Sequence, residues 1–191
     1  GIYSPNWVGD AVMALKFIGQ LRKKYAGDEL IVIAKDWVAD IYDNHPLINK
    51  VLPVPTNELN GVFNTIKTGR GLQKLNLDIF FVLPESFRSA VIAWLSRSNV
   101  RIGFAGQIRE TFLTDRINLP KEAIHRSEKF IYLLQNGEKA QNFQHVGITL
   151  RDQEKKWADK ILQENNVKDP IGLLIGSVAK SRSVPIGKWI E

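Results

Sequence analysis

Four short apolar runs, set between stretches of helical periodicity, constrain this chain more than any other feature. They lie at residues 30–34, 51–54, 78–83 and 100–104. Each is apolar at successive rather than alternate positions, as a strand buried on both faces must be. Between and around them the spacing changes to that of helices. Over 10–25, Ala11, Ala14, Leu15, Ile18, Leu21 and Tyr25 share one face, and Gly27-Asp28 closes the segment. Further helices are expected over 37–42, stopped near Asn44-His45-Pro46, over 58–75, weakened by Gly69 and Gly71, and over 86–96 and 123–136. Ile2-Tyr3 reads as the tail of a strand, and 105–119 as loop. Short buried strands alternating with helices predict an α/β fold, with a parallel sheet covered on both sides.

The alternation breaks once. Residues 141–147 are polar and without period, and then 152–165 resumes a helix with Trp157, Ile161 and Leu162 on its apolar face. A buried strand over 171–175 follows, running into Gly176-Ser177, a basic loop and a new helix near Pro185. The expected organisation is a first lobe over 1–140, a linker over 141–150 and the incomplete opening of a second α/β lobe over 151–191. Both ends read as cut: the chain opens at Gly1 without a Met and closes where a helix is being entered.

Composition removes several classes of chemistry. The chain has no cysteine, so disulfides, thiolate metal sites and cysteine nucleophiles are excluded. His45, His125 and His145 lack metal-ligand spacing, and no Asp-x-Asp pair or G-x-S-x-G elbow is present. No apolar run approaches the roughly 18 residues of a membrane span. The net charge of +6 favours anionic partners, namely phosphorylated sugars, lipid headgroups or nucleic acid, or else marks a solvated basic surface. Lys67, Arg70 and Lys74 share a face if their segment is helical, and that face is either solvated or turned to an anionic membrane.

Four loops carry residues capable of chemistry. Trp7-Val8-Gly9-Asp10 lies between a strand end and a helix start, the edge at which open α/β sheets bind ligands. Gly9 lets backbone approach a ligand, and the Asp10 carboxylate can take a proton from a sugar hydroxyl. The competing reading makes Asp10 an N-cap, although Met13 is not the Glu or Gln of a capping box. In Leu83-Pro84-Glu85-Ser86-Phe87-Arg88-Ser89-Ala90, Ser86 can cap a helix and Arg88 can fork onto a phosphate or carboxylate. A cation is disfavoured in a helix's first turn, so Arg88 there is odd for a purely structural residue. The stretch from Gly103 through Gly106 to Arg109 suits an anion-binding loop or an ordinary turn equally. Ser177, Lys180 and Arg182 follow the first strand of the second unit, where backbone N–H groups and cations suit a diphosphate.

In order and spacing, three of these stretches resemble family 9 glycosyltransferases, the ADP-heptose:lipopolysaccharide heptosyltransferases. Ser4-Pro5-Asn6-Trp7-Val8-Gly9-Asp10 is similar to the family's P-x-W-V-G-D signature. Residues Leu83 to Ala90 resemble its L-P-N-S-F-[KR]-S-A segment. Arg101-Ile102-Gly103-Phe104, on through Arg109 to Leu113-Thr114-Asp115-Arg116, resembles its R-x-G-[FYW] to R-x-x-L-L-x-D region. The second-lobe P-G-A and K-R-W-P segments are replaced by Ile175-Gly176-Ser177 and Arg182-Ser183-Val184-Pro185.

The resemblance implies a GT-B-type fold of two Rossmann-like lobes, the first for a lipid-linked acceptor and the second for an ADP-sugar. It implies inverting transfer of a heptose from ADP-heptose to the Kdo/heptose-lipid A inner core of lipopolysaccharide, closest to the step that adds the second heptose. Asp10 becomes the catalytic base. Trp7, Gly9, Ser86, Arg88 and Arg109 become acceptor contacts, and Ser177, Lys180 and Arg182 become donor diphosphate contacts. No metal and no cofactor beyond the donor substrate are implied, nor any nucleic acid. The expected setting is the cytoplasm, peripheral at the inner face of the cytoplasmic membrane. Two other readings stay open: a family 9 transferase with another nucleotide sugar or acceptor, and a non-catalytic anion- or nucleotide-binding α/β module.

Overall fold

The apolar runs are strands: β1 (Ile2–Tyr3), β2 (Ile31–Lys35), β3 (Lys50–Val54), β4 (Ile79–Val82) and β5 (Val100–Phe104), joined by β6 (Asp115–Ile117). They form one sheet in the order β3-β2-β1-β4-β5-β6, with every neighbouring pair parallel. The computed structural model describes residues 1–56, 61–106, 108–119, 121–134, 146–172 and 187. The chain divides into two units, Gly1–Thr149 and Leu150–Glu191. Within the first lie α1 (Val8–Lys24), α2 (Asp36–Ala39), α3 (Gly61–Gly71), α4 (Phe87–Leu95) and α5 (Arg126–Leu134); within the second lies α6 (Asp152–Glu164).

Each face of the sheet has its own core. On one side α1 packs on α5. Ala11, Leu15, Phe17 and Ile18 meet Val32, Phe81, Phe104 and Phe130, all at 3% exposure or less. Phe17 stands edge-on to Phe81 with ring centroids 5.3 Å apart, a geometry aromatic pairs prefer. On the other side α3 and α4 pack together, and Leu72, Ile92 and Ala93 cover Ile33, Phe80 and Val82. Burial of strand residues toward both cores explains why the runs are continuously apolar.

The α3–α4 contact depends on Gly69. A Cβ there would lie 2.5 Å from Leu95 Cβ and 3.1 Å from the Ile92 carbonyl oxygen. The glycine that weakens α3 as a helix is thus the one that lets the two backbones close. Gly69→Ala is expected to lower stability by about 1–3 kcal/mol, the usual cost of overpacking, measured by urea unfolding. An unchanged midpoint would show that the helices separate freely.

Three expectations are corrected. The segment 105–119 is not all loop: a 3-10 turn (Arg109–Phe112) precedes β6. β6 has three residues, of which only Ile117 is buried, so no apolar run announces it. α5 begins at Arg126 rather than Ala123, and α2 ends at Ala39 rather than Tyr42. Residues 58–60, 135–136 and 173–175 of expected elements, residues 141–145 of the expected linker and the helix near Pro185 lie outside the described residues. α6 itself forms where the period places it. In the described residues its Trp157 and Ile161 are 66% and 38% exposed.

Candidate active site

The strand order reverses direction between β1 and β4: β1 to β3 run one way from that point and β4 to β6 the other. The loops leaving the carboxyl ends of β1 and β4 therefore part and leave a crevice, the place where open α/β sheets bind ligands. The first and second motifs are these two loops. Their meeting was not visible from either alone.

After β1 the chain turns through Ser4. Its amide donates to the Ile33 carbonyl at 2.8 Å, and its hydroxyl lies 2.8 Å from the Tyr42 hydroxyl. Tyr42 is 1% exposed; burial pushes its phenol up, and the bond to Ser4 opposes that. The buried pair anchors the loop's underside, while Trp7 stays 66% exposed. Trp7 is the helix N-cap by backbone, with no side-chain capping bond. Asp10 is consequently in the first turn of α1, three residues inside, and does not cap it. A Cβ on Gly9 would meet nothing within 4 Å, so no packing demand explains glycine there.

The Asp10 carboxylate instead pairs with Arg126 at the start of α5, Nη2 to Oδ2 at 3.4 Å. The same guanidinium holds Glu85 of the β4–α4 loop, Nη1 to Oε1 at 3.1 Å, and Lys129 reaches that oxygen at 2.8 Å. Arg126 also lies over the Phe130 ring, and its Nε is buried without a partner among the described residues. Three elements distant in sequence are thus tied at one edge by an alternating chain, Asp10–Arg126–Glu85–Lys129. Sequence reasoning missed Arg126, Lys129 and the role of Glu85. One signal was available: Arg126 is a cation in a helix's first turn, the same unfavourable placement that singled out Arg88.

Beside this cluster, on the α3–α4 side, lies a groove of about 610 Å³ lined by Tyr3, Asn6, Lys35, Thr65, Ser86 and Arg88 among others. Ser86 caps α4 by accepting from the Ser89 amide at 3.3 Å, so this helix start opens on the groove. Lys35, at the end of β2, was not anticipated. Its ammonium stands 4.8 Å from the centroid of the Trp37 ring, and Trp37 in turn donates from Nε1 to the Asn6 carbonyl at 3.0 Å. Burial and the nearby Arg88 hold the Lys35 ammonium below its usual range, with Asp36 opposing. Burial likewise pushes the Tyr3 phenol up to about 12, and Arg88 opposes. Two cations brought together at one groove repel each other, an arrangement that an anion bound between them relieves.

Arg109, the other expected acceptor cation, lies against the β4–α4 loop. It is 1% exposed, and its Nη1 donates to the Pro84 carbonyl at 2.8 Å. The bare face of Gly103 makes room for it: a Cβ there would lie 3.1 Å from Nη2. Burial lowers its guanidinium to about 10, against the opposing charge of Glu85. From this position Arg109 supports the β4–α4 loop from beneath, and its Nε and Nη2 are buried without a hydrogen-bond partner among the described residues. The turn above it is closed by its own carboxylate, since the Gly106 amide donates to Glu110 Oε1 at 3.0 Å. That favours the structural reading of this stretch over an open anion loop. Ser177, Lys180 and Arg182 lie outside the described residues.

An all-parallel Rossmann-like sheet, with a carboxylate and a basic groove at its switch crevice, is an α/β lobe of the kind that binds ligands at that edge. The sequence profile of glycosyltransferase family 9 (heptosyltransferase) matches residues 65–189, and the chain belongs to that family. Lipooligosaccharide heptosyltransferase 2 of Haemophilus ducreyi is 32% identical over 117 residues, 60% of this chain and 33% of that protein. Lipopolysaccharide heptosyltransferase 2 of Escherichia coli is 29% identical over 123 residues, 64% of this chain and 35% of that protein. Among solved structures, the family 9 glycosyl transferase of Veillonella parvula superposes with a TM-score of 0.81 at 17% identity, over 96% of this chain and 55% of its own. The ADP-heptose lps heptosyltransferase II of E. coli gives 0.70 at 24% identity, over 88% of this chain and 50% of its own. The chain thus spans about a third of the curated relatives it matches and about half of these solved structures.

Proposed function

We propose that this chain is the acceptor-side lobe, with the opening of the donor-side lobe, of an inverting heptosyltransferase that moves a heptose from ADP-heptose to the inner core of lipopolysaccharide. The observation that carries it is the Asp10 carboxylate, which stands in the switch crevice and pairs with Arg126 instead of capping its helix. The relatives named for the second heptosyl step favour that step here.

In this reading Asp10 removes the proton from an acceptor heptose hydroxyl as that oxygen attacks the anomeric carbon of the donor. The bond from that carbon to the diphosphate breaks, ADP leaves with the electron pair, and Asp10 later gives its proton to solvent. Arg126 orients the base, and Trp7 and the open backbone at Gly9 face the acceptor sugar. Lys35, Arg88 and the Ser86 helix start hold an acceptor phosphate or Kdo carboxylate. Cationic side chains of the second lobe, Lys180 and Arg182 with Ser177, take up the charge of the leaving diphosphate, with neither metal nor cofactor. The enzyme works in the cytoplasm at the inner face of the cytoplasmic membrane.

The test is transfer from ADP-heptose to a heptose-bearing Kdo–lipid A, run on this chain and on a form carrying a complete second lobe. Turnover is expected from the two-lobed form, because both substrates must be positioned together. If that form binds the acceptor but transfers nothing from ADP-heptose, the donor assignment is lost.

A further inference from the structure

We infer that the outer face of α3, continuing into the 3-10 turn at Leu72–Leu75, is a docking surface for an anionic phospholipid bilayer. At the start of α3, Val62 and Phe63 are 74% and 89% exposed, apolar groups that no other part of the described chain covers. Lys67 and Arg70 follow Phe63 at four- and seven-residue spacing on the exposed side of the same helix, and Lys74 is exposed on the next turn. The helix turns its opposite side, Thr65, Thr68 and Gly69, to the protein interior. Residues 61–77 contain these three cations and no Asp or Glu.

An aromatic tip beside a cation stripe without acids is the pattern of an interfacial helix: the apolar end enters the headgroup boundary and the cations pair with lipid phosphates. A protein partner recognising so uniform a stripe would need an acidic face; a bilayer containing anionic lipid presents one at every position. The surface also adjoins the site. Gly61, Val62, Thr65 and Ile66 line the groove that holds Lys35 and Arg88. A bilayer seated on Phe63 therefore puts the headgroup layer at the groove's mouth, where the sugars of a lipid-anchored acceptor project. The purpose of the surface rests on the proposed acceptor, but lipid binding can be measured without one.

The experiment is co-sedimentation of the protein with vesicles of pure phosphatidylcholine, or of equal parts phosphatidylcholine and phosphatidylglycerol. Binding is expected only to the anionic vesicles and is expected to weaken with salt. Each of Lys67→Gln, Arg70→Gln and Lys74→Gln should weaken it about fivefold, the worth of one cation near an anionic surface. Phe63→Ser should weaken it at high salt as well as low. Equal binding to both vesicle types, or an unchanged triple variant, would overturn the proposal. So would a dimer in sedimentation velocity that Phe63→Ser disperses, which would assign the face to a second copy. In the two-lobed form, the triple variant should transfer normally to a de-acylated, water-soluble acceptor. Absence of transfer by the unmodified two-lobed form, with vesicle binding intact, would strike the enzymatic reading and leave the lipid surface standing.

Discussion

Asp10→Asn is expected to lower heptose transfer by about a hundredfold or more, the lower end of what a positioned general base contributes, while barely changing stability. The two effects separate because of where Asp10 sits. It does not cap α1, whose N-cap is Trp7, so no helix-capping bond is lost. Its pair with Arg126 is 3.4 Å long between side chains that are 37% and 21% exposed, and such a pair contributes about 0–1 kcal/mol. The amide oxygen of Asn can still accept from Arg126, but the amide cannot take a proton from the acceptor. The measurement is kcat on the two-lobed form, alongside thermal unfolding. Near-normal turnover in a folded variant would sink the base assignment and return Asp10 to a structural role.

The second large effect is expected in the groove. Lys35→Ala and Arg88→Ala should each raise the acceptor KM by roughly tenfold to a hundredfold, because a hydrogen bond to a charged group contributes about 1.5–3 kcal/mol. kcat should move little, since neither cation takes the proton in the proposed step. If both hold one anion, the double variant should lose less than the product of the single effects. An acceptor lacking the anionic group should bind the unmodified protein and the variants alike. Equal loss for acceptors with and without that group would show that the two residues shape the groove rather than read charge. Lys35 is the sharper test: the three motifs do not contain it, and only the parallel register of β1, β2 and β4 brings its end of β2 to the crevice.

Much of the fold was legible because burial on both faces leaves a plain mark. β2, β3, β4 and β5 lie within a residue or two of their apolar runs, and α1, α4 and α6 match their periods. β6 left no mark because an edge strand of three residues with one buried side chain needs no apolar run. Gly69 could be seen only as a helix weakness; its use appears when α4 is placed 2.5 Å from the missing Cβ.

The site divides in the same way. Local sequence was enough to place Trp7, Gly9, Asp10, Ser86 and Arg88 at the ends of strands and starts of helices, because strand ends, caps and misplaced charges are properties of a few adjacent residues. It could not separate a surface Arg109 from a buried one, since burial depends on Gly103 and Pro84 arriving on either side of it. Nor could it show that Arg126, 116 residues beyond Asp10, would be the partner of that carboxylate. The order of strands decides which loops meet, and that order comes from packing helices on both faces of one sheet. The sequence by itself therefore determined the class of fold and the residues able to do chemistry; the tertiary structure decided which of them stand together, because the Asp10–Arg126–Glu85–Lys129 chain exists only where three separate connections converge on one edge.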